Sequence, residues 1–169
     1  TYYFLSRPRR FGKTLFLDTI EKFYQGKKDL FKGLYIYDQN WNWEEYPIIR
    51  MDFNRLEHST TENLKIELRE FLEDYARQYN LELNKTLVSS KFEELIIKIS
   101  QKTGKNVVLL IDEYDKAIIS HLSQDPEEIK IAKSNQNFLK AIYDNLKPLV
   151  NHLELVFITG ISKFSKLSI

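Results

Sequence analysis

The order of segments along this chain predicts an α/β fold in which a mainly parallel β-sheet is layered by helices, and three observations carry the prediction. Apolar runs at residues 2–5, 47–53, 107–111 and 153–159 alternate with helix-patterned stretches, the pattern of strands joined by helical crossovers. The run Val107-Val108-Leu109-Leu110-Ile111 has no polar interruption, as expected of a strand buried on both faces. Third, two of the runs end in polar groups suited to a phosphate and a metal. Arg7-Pro8-Arg9-Arg10-Phe11-Gly12-Lys13-Thr14 follows the first run, and Asp112-Glu113 follows the third.

Residues 2–5 are the first expected strand. The segment behind them matches the phosphate-binding pattern G-x-x-x-x-G-K-[ST] in all but its first position, where Arg7 stands for glycine. Phe16, Ile20, Phe23 and Tyr24 then recur at helical spacing until Gly26, which is suited to stopping a helix. Residues 29–46 are rich in aromatics, and Trp41 and Trp43 are expected to pack on the sheet edge. Residues 47–53 read as a buried strand. Ser59 with Glu62 predicts a capping box opening a helix with the stripe Leu64, Leu68, Phe71, Leu72, Tyr75 and Tyr79. A second box, Ser90 with Glu93, predicts a helix through Phe92, Leu95, Ile96 and Ile99 that Gly104 ends. Asp125-Pro126-Glu127-Glu128 has a cap, a first-turn proline and acids for the positive end of a helix running to Leu146. Residues 153–159 form the last expected strand, closed by Thr159-Gly160. With no repeat or low-complexity linker, residues 1–169 are expected to form one domain.

Composition narrows the function without naming it. The 169 residues are 43% apolar and 29% charged, enough for a substantial core. A formal charge of +1 provides no general attraction to nucleic acid or to an anionic membrane. Absence of cysteine excludes disulfides, thiolate metal sites and thiol catalysis. No apolar run approaches the length of a membrane span, so no membrane partner and a cytoplasmic location are expected. The chain opens at Thr1 in a strand-like run, which reads as a piece of a longer protein.

The paired motifs point to a nucleoside triphosphatase. In a strand-loop-helix setting, backbone N–H groups and the positive helix end hold phosphates. The candidate nucleotide-binding residues are Arg9, Arg10, Phe11, Gly12, Lys13, Thr14 and Leu15. Lys13 is expected to reach the β- and γ-phosphates, and the Thr14 hydroxyl to take a Mg²⁺ position. Asp112 is the other metal anchor, and Glu113 is placed to polarise a water for attack on phosphorus. A helix N-cap accounts for one acid behind a strand, not two. Thr159 ends a strand expected between the motifs, where its hydroxyl either meets the attacking water or γ-phosphate or caps the strand end. The loop arginines are expected to point outward, because the loop backbone wraps the phosphates. Asp115 and Lys116 read as caps of the next helix. His58, His121 and His152 show no ligand spacing and read as structural.

Phe4-Leu5-Ser6-Arg7-Pro8-Arg9-Arg10-Phe11-Gly12-Lys13-Thr14, Leu110-Ile111-Asp112-Glu113-Tyr114-Asp115-Lys116 and Phe157-Ile158-Thr159-Gly160-Ile161-Ser162-Lys163-Phe164-Ser165 resemble the AAA-ATPase-like domain of prokaryotic proteins. The resemblance runs end to end, and in that family too an arginine replaces the first loop glycine. It implies a three-layer P-loop NTPase of the additional-strand ATPase type, with the Thr159 strand beside the loop strand and the strand after the loop helix at the edge. It also implies truncation after the fourth core strand, before any lid and a nuclease-like domain of the PD-(D/E)XK superfamily.

The expected activity is ATP binding with Mg²⁺-dependent hydrolysis that drives or gates an attached effector. The alternative is a switch that binds ATP with little turnover, which the Arg7 substitution keeps open. A P-loop kinase is disfavoured by Glu113, since a water-activating acid has no use where water must be excluded. A GTPase is disfavoured because Asn-Lys-x-Asp does not occur. Expected partners are ATP, a second copy donating a loop arginine, and nucleic acid reached through a C-terminal domain the chain lacks. The piece alone is expected to hydrolyse ATP weakly, with Lys163 as the other candidate cation near the site.

Overall fold

The computed structural model describes residues 1–8 and 10–161. Among them, four parallel strands form one sheet in the order β1-β4-β3-β2. These are β1 (Tyr2–Ser6), β2 (Ile48–Asp52), β3 (Val107–Asp112) and β4 (Leu153–Gly160). Helices α1 (Lys13–Tyr24), α2 (Thr61–Gln78), α3 (Val88–Thr103), α4 (Lys116–Ile119) and α5 (Pro126–Asp144) fill the connections. The strand carrying Thr159 thus lies between the two motif strands, and β2 is at one edge. No helix among the described residues is long and apolar enough to cross a membrane.

The side-chain alternation of β3 divides the apolar interior in two. Val107, Leu109 and Ile111 join Ile49, Met51, Val156 and Ile158 in a large cluster closed by α2, α3 and α5. Val108 and Leu110 point the other way, where they meet Leu155, Phe157 and Leu17 of α1. One strand supplies both clusters because successive residues face opposite sides of a sheet. All six residues of β3 are buried, as the uninterrupted apolar run requires. β1 differs. Tyr2, Tyr3 and Phe4 are 46%, 56% and 36% exposed, because among the described residues this strand pairs with β4 alone.

Several helix ends depart from the sequence expectation. The N-cap of α2 is Thr60, whose hydroxyl accepts the Asn63 N–H at 3.1 Å. Ser59 instead accepts from the Asn63 side chain, so the Ser59–Glu62 box does not form. The shift follows from chemistry, since adjacent hydroxyl residues compete for one cap and Thr60 has the extended backbone the position needs. α3 starts at Val88 without a side-chain cap, leaving Ser90 and Glu93 inside its first turns. The preceding loop is tied down by Glu94, whose carboxylate accepts the Asn84 and Lys85 N–H groups at 2.9 Å each. Burial raises the Glu94 pKa, but the Lys98 ammonium and these N–H groups outweigh it and hold the pKa at about 2.

The cap of α5 is Asp125, accepting the Glu127 N–H at 2.9 Å, with Pro126 in the first turn. That helix ends at Asp144, and Lys147–Leu149 follow as a short 3-10 turn. Trp43 packs on Phe23 and Phe31, with ring centroids 5.1 Å from each, and Trp41 lies 5.3 Å from Phe23. These indoles therefore cover the far end of α1 rather than the sheet edge. Gly26 permits this approach: its φ is +67°, and a Cβ there would sit 2.7 Å from the Trp43 carbonyl oxygen.

Candidate functional site

The two motifs meet at the carboxyl ends of the parallel strands. Between β1 and α1 the chain turns through Arg10 and Gly12, both left-handed, with φ of 64° and 73°. Gly12 serves here through conformation alone, since nothing lies within 4 Å of a Cβ built on it. The first turn of α1 has no acidic residue and no side-chain cap, so its positive end is not neutralised from within the helix. α2 and α5, by contrast, carry both.

Lys13 folds back over its own loop and is 3% exposed. Its ammonium donates to the carbonyl oxygens of Arg7 and Pro8 at 3.0 and 3.1 Å and pairs with Glu113 at 3.0 Å. Asp112 is fully buried and accepts one hydroxyl on each carboxylate oxygen. Thr14 donates to Oδ2 at 2.7 Å and Thr159 to Oδ1 at 2.5 Å. A threonine hydroxyl has one proton and two lone pairs. With its proton directed at Asp112, the Thr14 oxygen keeps lone pairs for a cation. Thr159 uses one of its own to accept the Glu113 N–H at 3.2 Å.

Glu113 has a left-handed backbone, φ 53°, uncommon without glycine. It continues the strand into a turn where Tyr114 N–H donates to the Thr159 carbonyl at 3.0 Å. Lys13, Thr14, Asp112, Glu113 and Thr159 are thereby brought together from three elements. Phe11 and Leu15, 61% and 68% exposed, and exposed Arg10 lie on the same loop and turn. Arg9 and Lys163 lie outside the described residues. No group of three or more His, Asp or Glu side chains among the described residues is arranged to hold a metal by itself. A hydroxyl and one carboxylate suit Mg²⁺, which keeps several waters and takes phosphate oxygens.

Sequence reasoning missed two neighbours of this site, Asp52 and Tyr114, and read a third, Asp115, only as a helix cap. Asp52 is the register partner of Asp112 across β2 and β3, and its carboxylate accepts the Asn54 N–H at 2.9 Å. Asp115 does not cap α4 with its side chain. It is fully buried and accepts the Ile161 N–H at 2.9 Å, tying the turn after β3 to the chain leaving β4. Tyr114 fills the space between them, and a Cβ on Gly160 would lie 2.5 Å from its ring. Burial, then the Asp115 carboxylate, pushes the Tyr114 phenol well above its ordinary range. The strand pairing of residues distant in sequence, which no local pattern encodes, creates all three arrangements.

His58 and His121, read as scattered, are also adjacent. His58 Nδ1 and His121 Nε2 are 3.2 Å apart, and His121 Nδ1 lies 2.6 Å from Glu128. Burial, then the neighbouring His121, lowers the His58 pKa. Asn135 completes the group by donating to the Ala117 carbonyl at 2.8 Å, which joins α5 to α4.

Fold and site together define a P-loop-type α/β domain. A family profile described as Predicted AAA-ATPase matches residues 1–169, and the chain belongs to that family. Membership suggests ATP binding and hydrolysis. The chain is 36% identical over 170 residues to a protein of Azotobacter chroococcum mcd 1 described as an uncharacterized protein in the vnfD 5′ region. That alignment covers 100% of this chain and 32% of the relative, so the chain spans about a third of the relative's length. No solved structure matches the chain.

Proposed function

We propose that this domain binds ATP with Mg²⁺ and hydrolyses it, driving or gating an effector elsewhere in the same protein. The observation carrying the reading is the convergence on Asp112: the loop threonine and the β4 threonine each donate to one of its oxygens. A strand acid that bridges the phosphate loop and an inserted strand is what an additional-strand, three-layer P-loop ATPase requires. The order β1-β4-β3-β2 supports that type. Coverage of a third of the relative supports an effector on the remaining chain, and the nuclease-like domain implied by the resemblance is our candidate for it.

In this reading the backbone of residues 9–15 and the start of α1 hold the phosphates, and Lys13 exchanges Glu113 and the loop carbonyls for phosphate oxygens. Thr14 and Asp112 would hold Mg²⁺, which would supply charge neutralisation on the phosphates. Glu113, released from Lys13, accepts a proton from the attacking water. Thr159 acts as a positioning residue, because its proton goes to Asp112 and its lone pair holds the Glu113 N–H.

A slow switch is the second reading, and the Lys13–Glu113 pair favours it: the same contact that seats the lysine withholds the base. Glu113→Gln in the full-length protein decides between them. The hydrolysing reading expects ATP binding to persist while phosphate release slows by about 10² to 10⁴. An unchanged rate removes Glu113 from the mechanism. Lys13→Ala should abolish the thermal shift that accompanies stabilisation by Mg-ATP, about 2.7 kcal/mol at a hundredfold excess over Kd. A wild-type protein that shows no such shift overturns both readings.

A further inference from the structure

At the opposite end of the strands from Lys13, the turn after α1 and the segment leading into β2 enclose a cavity of about 270 Å³. Phe23, Tyr24, Trp41 and Tyr46 present rings to it, and Glu44 and Glu154 are its acids. The rings support one another edge to face: Tyr24 lies 5.3 Å from Phe23 and 5.4 Å from Tyr46, with interplanar angles of 86° and 88°. The walls are also braced by a backbone hydrogen bond, since the Tyr46 N–H donates to the Tyr24 carbonyl at 2.9 Å.

Two features of this cavity select a cation. Aromatic faces carry negative potential and attract an ammonium or guanidinium, tryptophan most strongly. Glu154 adds a carboxylate with no ion-pair partner among the described residues, while its backbone carbonyl accepts the N-terminal ammonium of Thr1 at 3.1 Å; its field, after burial, helps raise the Tyr24 phenol pKa. The molecule already uses the same combination at the rim. Lys105 places its ammonium 5.3 Å from the Tyr46 ring centroid and 3.3 Å from Glu44. No such side-chain cation is found at Phe23, Tyr24, Trp41 or Glu154 among the described residues.

We infer that this cavity receives one arginine side chain from a partner polypeptide, stacked among Phe23, Tyr24 and Trp41 and paired with Glu154. A polypeptide is favoured over a free small cation because the cavity opens beside an apolar groove of about 570 Å³ that shares Phe23 and Tyr24 and continues along Phe16, Ile20, Leu155 and Phe157. The apolar side chains along this groove provide a track for residues flanking the cation. Arginine fits better than lysine, because a planar guanidinium stacks on rings and forks onto a carboxylate at once.

The test uses full-length protein carrying 5-fluorotryptophan, with the Trp41 resonance assigned by its loss in Trp41→Phe. N-acetylarginine amide, its neutral isostere N-acetylcitrulline amide, and choline are titrated at constant ionic strength. The expected result is a saturable Trp41 shift with the arginine probe, little or none with the citrulline probe, and weaker binding of choline. Glu154→Gln should weaken the arginine probe roughly three- to thirtyfold, with melting temperature and phosphate release unchanged. An equal response to citrulline overturns the selection for charge. Tight choline binding without an arginine response overturns the side-chain ligand in favour of a free quaternary ammonium. Absence of any saturable shift in a folded protein overturns the site.

Discussion

On one face of the sheet, α2, α3 and α5 enclose Leu64, Leu68, Leu72, Phe92, Leu95, Ile96, Ile99 and Leu139 with almost no exposure. On the other face α1 is the one α-helix among the described residues, burying Leu17 as its one fully enclosed apolar side chain and leaving Leu15 and Phe16 at 68% and 47% exposure. Yet α1 is the helix that begins with Lys13 and Thr14. The helix closest to the proposed chemistry is therefore held by few contacts, and among them is an ionic clasp: Arg50 of β2 pairs with Asp18 and, at 2.5 Å, with Glu21. Stability resides mainly on the thick face and the proposed catalytic alignment on the thin one. A protein so divided can lose alignment without unfolding.

The largest expected effect tests the thick face. Leu109→Ala, at a fully buried β3 position, should cost about 3–5 kcal/mol in chemical denaturation, because tightly packed neighbours collapse little into the space. Leu17→Ala on the thin face should cost about 2–3 kcal/mol, since an open flank relaxes more readily. Equal losses, or a larger one at Leu17, would break the proposed division.

A smaller effect is expected at the clasp. Arg50→Met should lower stability by roughly 1–2 kcal/mol, because its partners remain partly exposed and water screens them. Its larger consequence should be kinetic, with KM for ATP rising by more than the stability change accounts for. Measuring both on the same preparation sharpens the comparison, and an unaltered KM would show that α1 needs no ionic support.

The smallest effect belongs to Glu94, again on the thick side. Its pKa is lowered from 4.5 to about 2 in the folded state, so its contribution is present above pH 4.5 and fades as the pH falls through 2. Glu94→Gln should cost about 1 kcal/mol at neutral pH, and the gap between the two proteins should narrow over that acidic window. A gap independent of pH would place its origin in packing.

Much of the fold could be read in the sequence because its signals are local. The apolar run at 107–111 could only be a buried strand, and Asp125-Pro126 announced a helix start that the Asp125 side chain does cap. Caps failed where neighbours compete, as at Ser59 and Thr60. The motif residues Lys13, Thr14, Asp112 and Glu113 were visible as spacing, and Thr159 as the polar end of an apolar run. What spacing cannot reveal is shared occupancy: that Thr14 and Thr159 use the same carboxylate, that Asp115 reaches Ile161, or that His58 meets His121 across 63 residues. Those contacts exist only once the strand order is fixed. The roles of Trp41 and Trp43 were misjudged for a related reason, since a run of aromatics does not say which helix end it will cover.

The single carboxylate of Asp112 has a consequence for how this chain can change over generations. Positions 14 and 159 lie far apart in sequence yet draw on one acceptor, so a change at either alters what the other is worth. Serine at either position keeps a hydroxyl and leaves the arrangement intact, whereas valine at one strands an oxygen of Asp112 in a buried place. Drift at these two sites should therefore be correlated rather than independent, and the energetic cost of a double replacement should fall short of the sum of the single ones. The loop and the strand lying between the two motif strands should therefore change as one unit.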